Sequence, residues 1–343
     1  MRLVYVDYHT CGEPVRIVTS GYPELTGATI LEKRRQAREL HDHLRRAMML
    51  EPRGHDGMYG VIPVAASAPE AAFGVLFTHN EGYSTMCGHA TIALGRYAID
   101  HGLVPAVEPV TRFAIEAPCG LLRLACEFEG GKVGTVSFES VPAFVEARDL
   151  AVALPGFGTV VTDIAYGGAY YCILPASRFG LDLFATPVEE IAAAAGALTD
   201  TVRATRAITH PTEPDLGFLY GTIVTDEAGP EAESFNLCVF AERQIDRSPT
   251  GSGVTARMAL DHARGLIPTG RSRSFRSITG GAFTGTVVGP VEYPAAGAVT
   301  IAVAGTSHLA GEGSFVIEPD DPLRHGFALP RRFADIPGAP AQG

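Results

Sequence analysis

The sequence predicts an α/β (α+β) protein built from two similar lobes, with its functional site in the cleft between them. Two observations predict this fold class. The order of strand-like and helix-like segments in the first half recurs in the second half, and each half contains one glycine-rich helix start. A chain of 343 residues, of which 46% are hydrophobic and 19% charged, is long enough to form two cores.

The first half opens with strands and then a helix. Residues 3–7 and 15–18 are apolar runs typical of strands, and residues 10–14 form a tight connection between them. Residues 31–50 are predicted to form one charged amphipathic helix. Its apolar positions at helical spacing are Leu40, Leu44 and Ala47.

A polar loop punctuated by glycines and carrying one aromatic residue, Tyr59, is predicted over residues 51–60. An apolar strand at residues 73–77 leads from it to the first glycine-rich helix start. Three further strands are expected at residues 111–117, 121–128 and 133–139. These segments make up the first predicted lobe, residues 1–155.

The second half begins in the same way as the first. Strands at residues 160–163 and 170–174 echo the two strands at the beginning of the chain. The separation between Asp7 and Asp163 and that between Gly12 and Gly168 are both 156 residues. A nearly constant offset and a shared order of segments indicate a duplication, although individual residues match weakly.

A helix and further strands complete the second predicted lobe, residues 156–314. The stretch 186–189 has the form of a capping box, with a proline at the first helical position, and predicts a helix ending near residue 203. More strands are expected at residues 218–225, 236–241 and 314–317. The segment from about 315 to 343 is expected to return to the first lobe, with residues 338–343 frayed.

The first helix start places Cys87 directly before Gly88 and His89. A thiol at the N-terminus of a helix lies at the positive end of the macrodipole, which favours the thiolate. The free N–H groups of Gly88 and His89 are suited to bind an anion beside it. A buried structural cysteine explains the pattern equally well, because free cysteine is among the most buried residue types.

The second helix start, residues 246–256, places Thr250 opposite Cys87 if the halves are aligned with an offset of 163 residues. It lacks the lysine of a phosphate-binding P-loop, but its glycines let backbone N–H groups approach a ligand closely. Thr250 is also an ordinary N-cap residue. Asp246 is suited to accept a hydrogen bond from an ammonium or ring nitrogen, or else forms a salt bridge with Arg247.

Composition excludes several other functions. The net charge of −11 argues against binding to a nucleic acid, and no apolar stretch is long enough to span a membrane. Without a secretory leader, the six widely spaced cysteines indicate reduced thiols in the cytoplasm. No histidine or cysteine pair has metal-ligand spacing, so no metal is expected. A hydrolytic triad of Cys87, His89 and Asp246 is disfavoured, because no separate oxyanion site is evident.

Two motifs carry a resemblance to a known family. Residues 86–89 (Met-Cys-Gly-His) and residues 246–253 (Asp-Arg-Ser-Pro-Thr-Gly-Ser-Gly) resemble the paired signature of the proline racemase and hydroxyproline epimerase family. Residues 9–14, 51–55 and 163–168 extend the similarity over nearly the whole chain. The resemblance implies a fold like that of diaminopimelate epimerase, no cofactor, and a homodimer.

One position departs from the racemase pattern. Racemases of this family carry a cysteine at both helix starts, so that one thiolate removes the α-proton and the other thiol protonates the opposite face. This chain has Thr250 at the second position, and a hydroxyl is too weak an acid or base for that role at neutral pH. Members with a Cys/Thr pair resemble trans-3-hydroxy-L-proline dehydratases, which implies a cofactor-independent hydro-lyase acting on a small imino acid.

The resemblance assigns roles to nine residues. Cys87 would abstract the α-proton, and Thr250 would position the substrate. The substrate carboxylate would be held by backbone N–H groups of Gly88, His89, Gly251 and Ser252, whose helix dipoles stabilise the developing charge. Asp246, aided by the His89 side chain, would bind the ring nitrogen. Tyr59 and Phe240 would wall the ring and exclude water, although both could equally be core residues.

Two alternatives remain at this point. An epimerase of the same family could work with one cysteine and an unrecognised second acid. A protein of another class could hold a small imino acid without catalysis. Incubation of substrates in deuterated water distinguishes these possibilities, because only the epimerase introduces deuterium into an inverted product.

Overall fold

The computed structural model describes residues 1–330. The strands of the first half are β1 (Arg2–Thr10), β2 (Glu13–Ser20), β3 (Tyr59–Val64), β4 (Phe73–His79), β5 (Tyr83–Ser84), β6 (Val110–Ala117), β7 (Gly120–Glu129) and β8 (Lys132–Glu139). Its helices are α1 (Ile30–Leu40), α2 (Asp42–Met49) and α3 (Gly88–Asp100). The predicted strands of this half are therefore present, most of them longer than expected.

The second half follows the same plan. Its strands are β9 (Phe144–Leu154), β10 (Gly158–Tyr166), β11 (Tyr170–Pro175), β12 (Leu219–Thr225), β13 (Ser234–Phe240), β14 (Gln244–Ile245), β15 (Ser272–Arg276), β16 (Ala282–Pro290) and β17 (Val299–Gly305). Its helices are α4 (Val188–Thr205) and α5 (Gly251–Ala263). A last strand, β18 (Ser307–Val316), follows β17.

The strand pairings repeat from one half to the other. In the first half β1 and β2 are antiparallel, β2 and β3 parallel, β3 and β4 antiparallel, and β4 and β6 parallel. In the second half the corresponding pairs are β10–β11, β11–β12, β12–β13 and β13–β15, with the same alternation. The chain is thus a mixed α/β protein of two pseudo-symmetric lobes.

Three pairings connect the ends of these repeats. β18 is antiparallel to β1 along nearly its whole length, and β9 is antiparallel to β10 in the same way. β8 of the first half also pairs with β17 of the second half. β9 lies before residue 156, where the sequence places the start of the second lobe, yet it pairs with a strand of that lobe. The predicted domain limits stay a prediction, and residues 331–343, which include the predicted frayed end at 338–343, lie outside the described residues.

Each lobe wraps its strands around one buried helix. Nearly every residue of α3 and of α5 is buried, which is typical of a helix surrounded by core on all sides. Gly95 in α3 allows a close approach to β8, since a Cβ atom there would lie 2.5 Å from Val136 Cγ1. These two central helices carry the two glycine-rich starts at their N-termini, so the packing of each lobe determines the position of its helix start.

The predicted single helix over residues 31–50 is wrong, because α1 and α2 are separate helices that meet at His41. Leu40 is 62% exposed, whereas Leu44 and Ala47 are buried. The guanidinium of Arg45 binds the Asp42 carboxylate and also donates to the backbone carbonyls of His79, the last residue of β4, and Asn80. We attribute the break to these long-range contacts, because no glycine or proline stands at residue 41 to signal it.

Two smaller predictions are also corrected. The capping box at residues 186–189 does not form: Pro187 occupies the N-cap position of α4, and the Thr186 hydroxyl accepts a hydrogen bond from the Asp182 N–H instead. Tyr59 begins β3 rather than lying in a loop. None of the helices within residues 1–330 combines the length and the apolar character that crossing a membrane requires.

Candidate active site

A cavity lies where the N-termini of α3 and α5 meet. It is lined by all nine residues that the sequence selected, namely Tyr59, Cys87, Gly88, His89, Phe240, Asp246, Thr250, Gly251 and Ser252. The fold brings them together because the two central helices point their first turns at each other. A Cβ atom at Gly88 would lie 2.3 Å from Gly251 Cα, so only glycine permits this approach.

The start of α3 leaves its first N–H groups free for a ligand. Cys87 is the N-cap residue, with an extended backbone (φ −145°, ψ 111°), and its carbonyl accepts the Thr91 N–H at 3.0 Å. The Thr91 hydroxyl donates to the same carbonyl at 2.7 Å. No side chain caps this helix start, and the first N–H groups of a helix have no partner within it. This turn can therefore hold an anion.

The Cys87 thiol contacts the His89 imidazole, with 3.2 Å between Sγ and Nδ1. Burial lowers the pKa of His89 to about 4, so the ring is neutral at physiological pH. Burial also raises the pKa of Cys87 well above its usual value, although the Ala90 N–H lowers it. The expected preference for thiolate is therefore outweighed by desolvation in this structure, and the Cys87 thiol can donate to His89 Nδ1.

The start of α5 is built differently. Thr250 is the N-cap residue, but its backbone is left-handed (φ 64°, ψ 90°), which is a genuine outlier for a β-branched residue. Its hydroxyl does not cap the helix; it donates to Asp246 Oδ2 at 2.8 Å. The ordinary N-cap role considered for Thr250 is thus not observed, and its side chain is held at the cavity wall by a carboxylate.

Asp246 is buried and is held in place by backbone as well as by Thr250. Its Oδ1 accepts the Ser248 N–H at 2.7 Å. The neighbouring Arg247 directs its guanidinium to the Gly57 carbonyl at 3.0 Å and lies 3.7 Å from Glu13. The alternative salt bridge between Asp246 and Arg247 is therefore not formed, and Asp246 presents its carboxylate to the cavity.

Aromatic rings enclose the cavity. The Tyr59 ring meets the His89 ring edge to face, with 4.8 Å between centroids, and the Phe240 ring stacks on Tyr220 at 5.5 Å. Both residues are buried at the ends of strands. An apolar wall of this kind excludes water and strengthens electrostatic interactions inside the site.

Sequence reasoning missed five residues that line the same cavity. They are Glu13, Met86, Tyr171, Tyr220 and Cys238. The hydroxyl oxygens of Tyr171 and Ser252 are 2.7 Å apart and share one hydrogen bond, which supports the start of α5. Three of them, in β11, β12 and β13, lie in apolar strand runs, where nothing local separates a cavity residue from a core residue. Glu13 lies in residues 9–14, one of the motifs that carry the family resemblance. A carboxylate beside the tight connection between two strands could have indicated a site residue there.

Glu13 is the most unusual of these residues. Its side chain is 0% exposed, its Oε2 accepts the Arg247 N–H at 2.7 Å, and its Oε1 has no hydrogen-bond partner. Burial, together with the nearby Asp246 carboxylate, raises the pKa of Glu13 well above its usual value. The acid form of this carboxyl group is thus stabilised relative to that of an ordinary glutamate.

These side chains offer acid–base chemistry on a small anion. A thiol, a neutral imidazole, a carboxylate and a carboxylic acid surround two helix N-termini that bind negative charge. Within residues 1–330, no three His, Cys, Asp or Glu side chains converge to hold a metal ion. All six cysteines are free.

Comparison with known proteins assigns the chain to a family. It is 52% identical to the human trans-3-hydroxy-L-proline dehydratase over 335 residues, covering 95% of this chain and 94% of that protein. It is 42% identical to the 3-hydroxyproline 2-epimerase of Burkholderia multivorans, covering 94% and 97% of the two chains. A crystal structure of a probable proline racemase from Agrobacterium radiobacter K84 superposes with a TM-score of 0.90, at 26% identity and with 95% and 96% coverage. Because the family model described as proline racemase also matches residues 5–328, the chain belongs to the proline racemase family.

Proposed function

We propose that this protein dehydrates trans-3-hydroxy-L-proline to Δ1-pyrroline-2-carboxylate. One observation carries the proposal: the two helix starts present a single thiol, Cys87, opposite a hydroxyl, Thr250, that is already bound to Asp246. Such a site can remove the α-proton from one face but has no thiol on the second helix to protonate the other. The human relative that is 52% identical bears the name of this activity.

The reaction begins with proton abstraction by the Cys87 thiolate. The substrate carboxylate binds the free N–H groups of Gly88 and His89 on one side and of Gly251 and Ser252 on the other. Two helix dipoles directed at one carboxylate stabilise the enolate-like charge that develops as the α-proton leaves. Because the same positive field also favours thiolate over thiol, it opposes the rise in the pKa of Cys87 caused by burial.

Elimination follows from the enolate-like species. Asp246, aided by the His89 ring, binds the nitrogen of the substrate ring and fixes its orientation. The bond between C3 and the hydroxyl oxygen then breaks, and the resulting enamine tautomerises to the cyclic imine. Thr250 positions the substrate, while Tyr59 and Phe240 pack on the ring and keep bulk water out.

A second candidate is epimerisation of a hydroxyproline. The relative from Burkholderia multivorans, 42% identical, is named as an epimerase, and the Cys238 thiol lines the same cavity as Thr250. Cys238 is the unrecognised second acid that this alternative would need. Its replacement by alanine should leave dehydration within about threefold of wild type and would abolish any stereoinversion.

The test uses purified protein, trans-3-hydroxy-L-proline and deuterated water. The cyclic imine is trapped as it forms, and the recovered substrate is examined for deuterium and for configuration at Cα. Dehydration predicts trapped imine with little inversion, and epimerisation predicts deuterium in an inverted product. Unchanged substrate at high enzyme concentration would refute both activities and favour a binding protein without catalysis.

We further propose that the enzyme needs no cofactor and works in the cytoplasm as a homodimer. The proposed reaction combines proton transfers with cleavage of the C3–O bond and has no redox step, and the cavity side chains can perform the proton transfers. Six free cysteines suit a reducing compartment. Full activity after dialysis against a chelator, and a mass near twice 36.2 kDa by light scattering, would support these proposals.

A further inference from the structure

We infer that Glu13 is the general acid that protonates the hydroxyl group as it leaves C3 of the substrate. The inference rests on the proposed dehydration, which otherwise has to expel hydroxide, a poor leaving group, into a cavity closed to water. Glu13 begins β2, at the end of the tight connection between the first two strands. It lines the same cavity as Cys87, Asp246 and Thr250.

The geometry gives Glu13 one free oxygen. Its Oε2 accepts the Arg247 N–H at 2.7 Å, so that oxygen is an acceptor and is not the one that carries a proton. Its Oε1 is fully buried and has no partner. A buried oxygen without a hydrogen-bond partner costs free energy of folding unless a ligand supplies the missing hydrogen bond. A hydroxyl on the substrate is the group that a proton on Oε1 would meet.

The surroundings of Glu13 favour its acid form. Burial is the largest cause of its raised pKa, and the Asp246 carboxylate is the second. The charges that oppose them belong to Arg247, whose backbone N–H binds Oε2 and whose guanidinium lies 3.7 Å away, partly exposed. Cys87 and Cys238 are the other titratable groups coupled to Glu13, and a charged Glu13 raises the pKa of both thiols. A protonated carboxyl at this position can donate where a carboxylate could not.

Other groups in the cavity are poorer acids. The Thr250 hydroxyl already donates to Asp246, and His89, with a pKa lowered to about 4 by burial, is a neutral ring whose remaining N–H is a much weaker acid than a carboxylic acid. Burial raises the pKa of the Tyr59 phenol well above its usual value, so this hydroxyl is a weaker acid than a carboxylic acid. Among these groups Glu13 alone combines a free oxygen with a pKa that suits proton donation.

Substrate stereochemistry agrees with this assignment. In the trans isomer the hydroxyl lies opposite the carboxylate, and therefore on the same face of the ring as the α-hydrogen. The base and the acid must then approach from the same side. Cys87 and Glu13 both come from first-half elements, the starts of α3 and β2, whereas Thr250 lies at the start of α5.

The proton balance is complete without another reagent. The Cys87 thiolate takes the α-proton, the electron pair of that bond forms the C2–C3 double bond, and the C3–O bond breaks. Glu13 Oε1 gives its proton to the departing oxygen, so that water leaves and a carboxylate remains. The thiol proton then returns to the carboxylate through solvent exchange, and the enamine tautomerises to the imine.

The test is Glu13→Gln, assayed with two substrates. The amide oxygen can still accept the Arg247 N–H, and the amide N–H can still contact the substrate, but it cannot transfer a proton. We expect kcat for trans-3-hydroxy-L-proline to fall by about 100-fold or more. Elimination of chloride from trans-3-chloro-L-proline, which needs no proton, should stay within about tenfold of wild type, as should α-proton exchange in deuterated water.

Three controls accompany this variant. Glu116→Gln removes another buried carboxylate, which binds Ser67 outside the cavity, and should leave both activities unchanged. Glu13→Asp keeps a transferable proton and should retain at least about tenfold more dehydration than Glu13→Gln. In the wild-type enzyme, the ratio of dehydration to chloride elimination should fall as the pH rises through the pKa of Glu13, because the carboxylate has no proton to give.

Several outcomes would overturn the inference. If kcat falls equally with the hydroxy and chloro substrates in Glu13→Gln, Glu13 maintains the structure of the site or activates Cys87 and does not act as the acid. Unchanged dehydration in Glu13→Gln, or a wild-type ratio independent of pH, would assign the proton to another group. An inert wild-type protein would overturn the proposed function and this inference together, whereas the other results overturn the inference alone.

Discussion

The two helix starts of this protein occupy equivalent places in the two lobes but differ in what their N-cap residues do. Cys87 has an extended backbone, and its thiol contacts the neutral His89 imidazole and, within residues 1–330, has no carboxylate bonded to it. Thr250 has a left-handed backbone and a hydroxyl bound to Asp246. In the proposed mechanism, the first start exchanges a proton with the substrate and the second holds the substrate in position.

This difference explains how one fold can support related reactions. Both starts keep their first-turn N–H groups available and approach each other at Gly88 and Gly251, so both can stabilise charge on a shared carboxylate. In the proposed mechanism, the residue before each glycine determines whether that helix start can exchange the α-proton. Substitutions at these positions and their supports test the comparison.

The largest effect is expected at the first start. Cys87→Ser replaces the thiol by a hydroxyl that is a far weaker acid, and should lower kcat by on the order of 1,000-fold or more. Steady-state assay of imine formation measures the loss. Cys11→Ser, which changes a half-buried thiol outside the cavity, should remain active. Substantial turnover by Cys87→Ser would remove the thiolate from the mechanism.

Asp246→Asn is expected to have the next largest effect. It removes the negative charge that binds the substrate nitrogen in the proposed mechanism and weakens the support of the Thr250 hydroxyl, so kcat/KM should fall by about 100-fold. Asp149→Asn changes an exposed carboxylate of the same lobe and serves as the control. A loss equal to that of the control would show that the second start does not depend on Asp246.

Gly88→Ala tests the contact between the two starts. The added methyl group would lie 2.3 Å from Gly251 Cα, so the helices must separate. We expect the free energy of unfolding to fall by about 1–3 kcal/mol and kcat to fall by about tenfold. Denaturant melts and kinetics measure both. Gly82→Ala, where a Cβ atom meets nothing within 4 Å, should change neither, and equal behaviour of the two variants would contradict the role of the contact.

The smallest effect is a gain of function. Thr250→Cys places a thiol opposite Cys87 and should introduce slow inversion at Cα, detected as deuterium in the inverted substrate. The gain should be small, because the position has a left-handed backbone and the thiol would lie beside the Asp246 carboxylate, which disfavours its ionisation. Thr250→Ser retains the hydroxyl and should show no inversion; inversion in both variants would place the second acid elsewhere.

Much of the fold could be predicted from local patterns. Alternating and continuous apolar runs predicted the strands around Asp7 and Asp163, and the repeated order predicted two similar lobes. The helix over residues 31–50 was predicted as one element because its break depends on Arg45, which binds carbonyls distant in sequence. The capping box near Thr186 failed for a related reason: a loop residue, Asp182, engages the hydroxyl instead.

By itself the sequence determined which chemical groups are present and their spacing: a thiol and a hydroxyl, each followed by glycine, at two helix starts. Only the tertiary structure decided their states. Burial lowers the pKa of His89 and raises that of Cys87, and both residues line a cavity formed by residues of both halves of the chain. It also places Glu13 and Asp246 in one cavity although 232 residues separate them. Solvent exclusion and long-range contacts cannot be deduced from neighbours in the chain, and in this protein they set the acid–base character of the site.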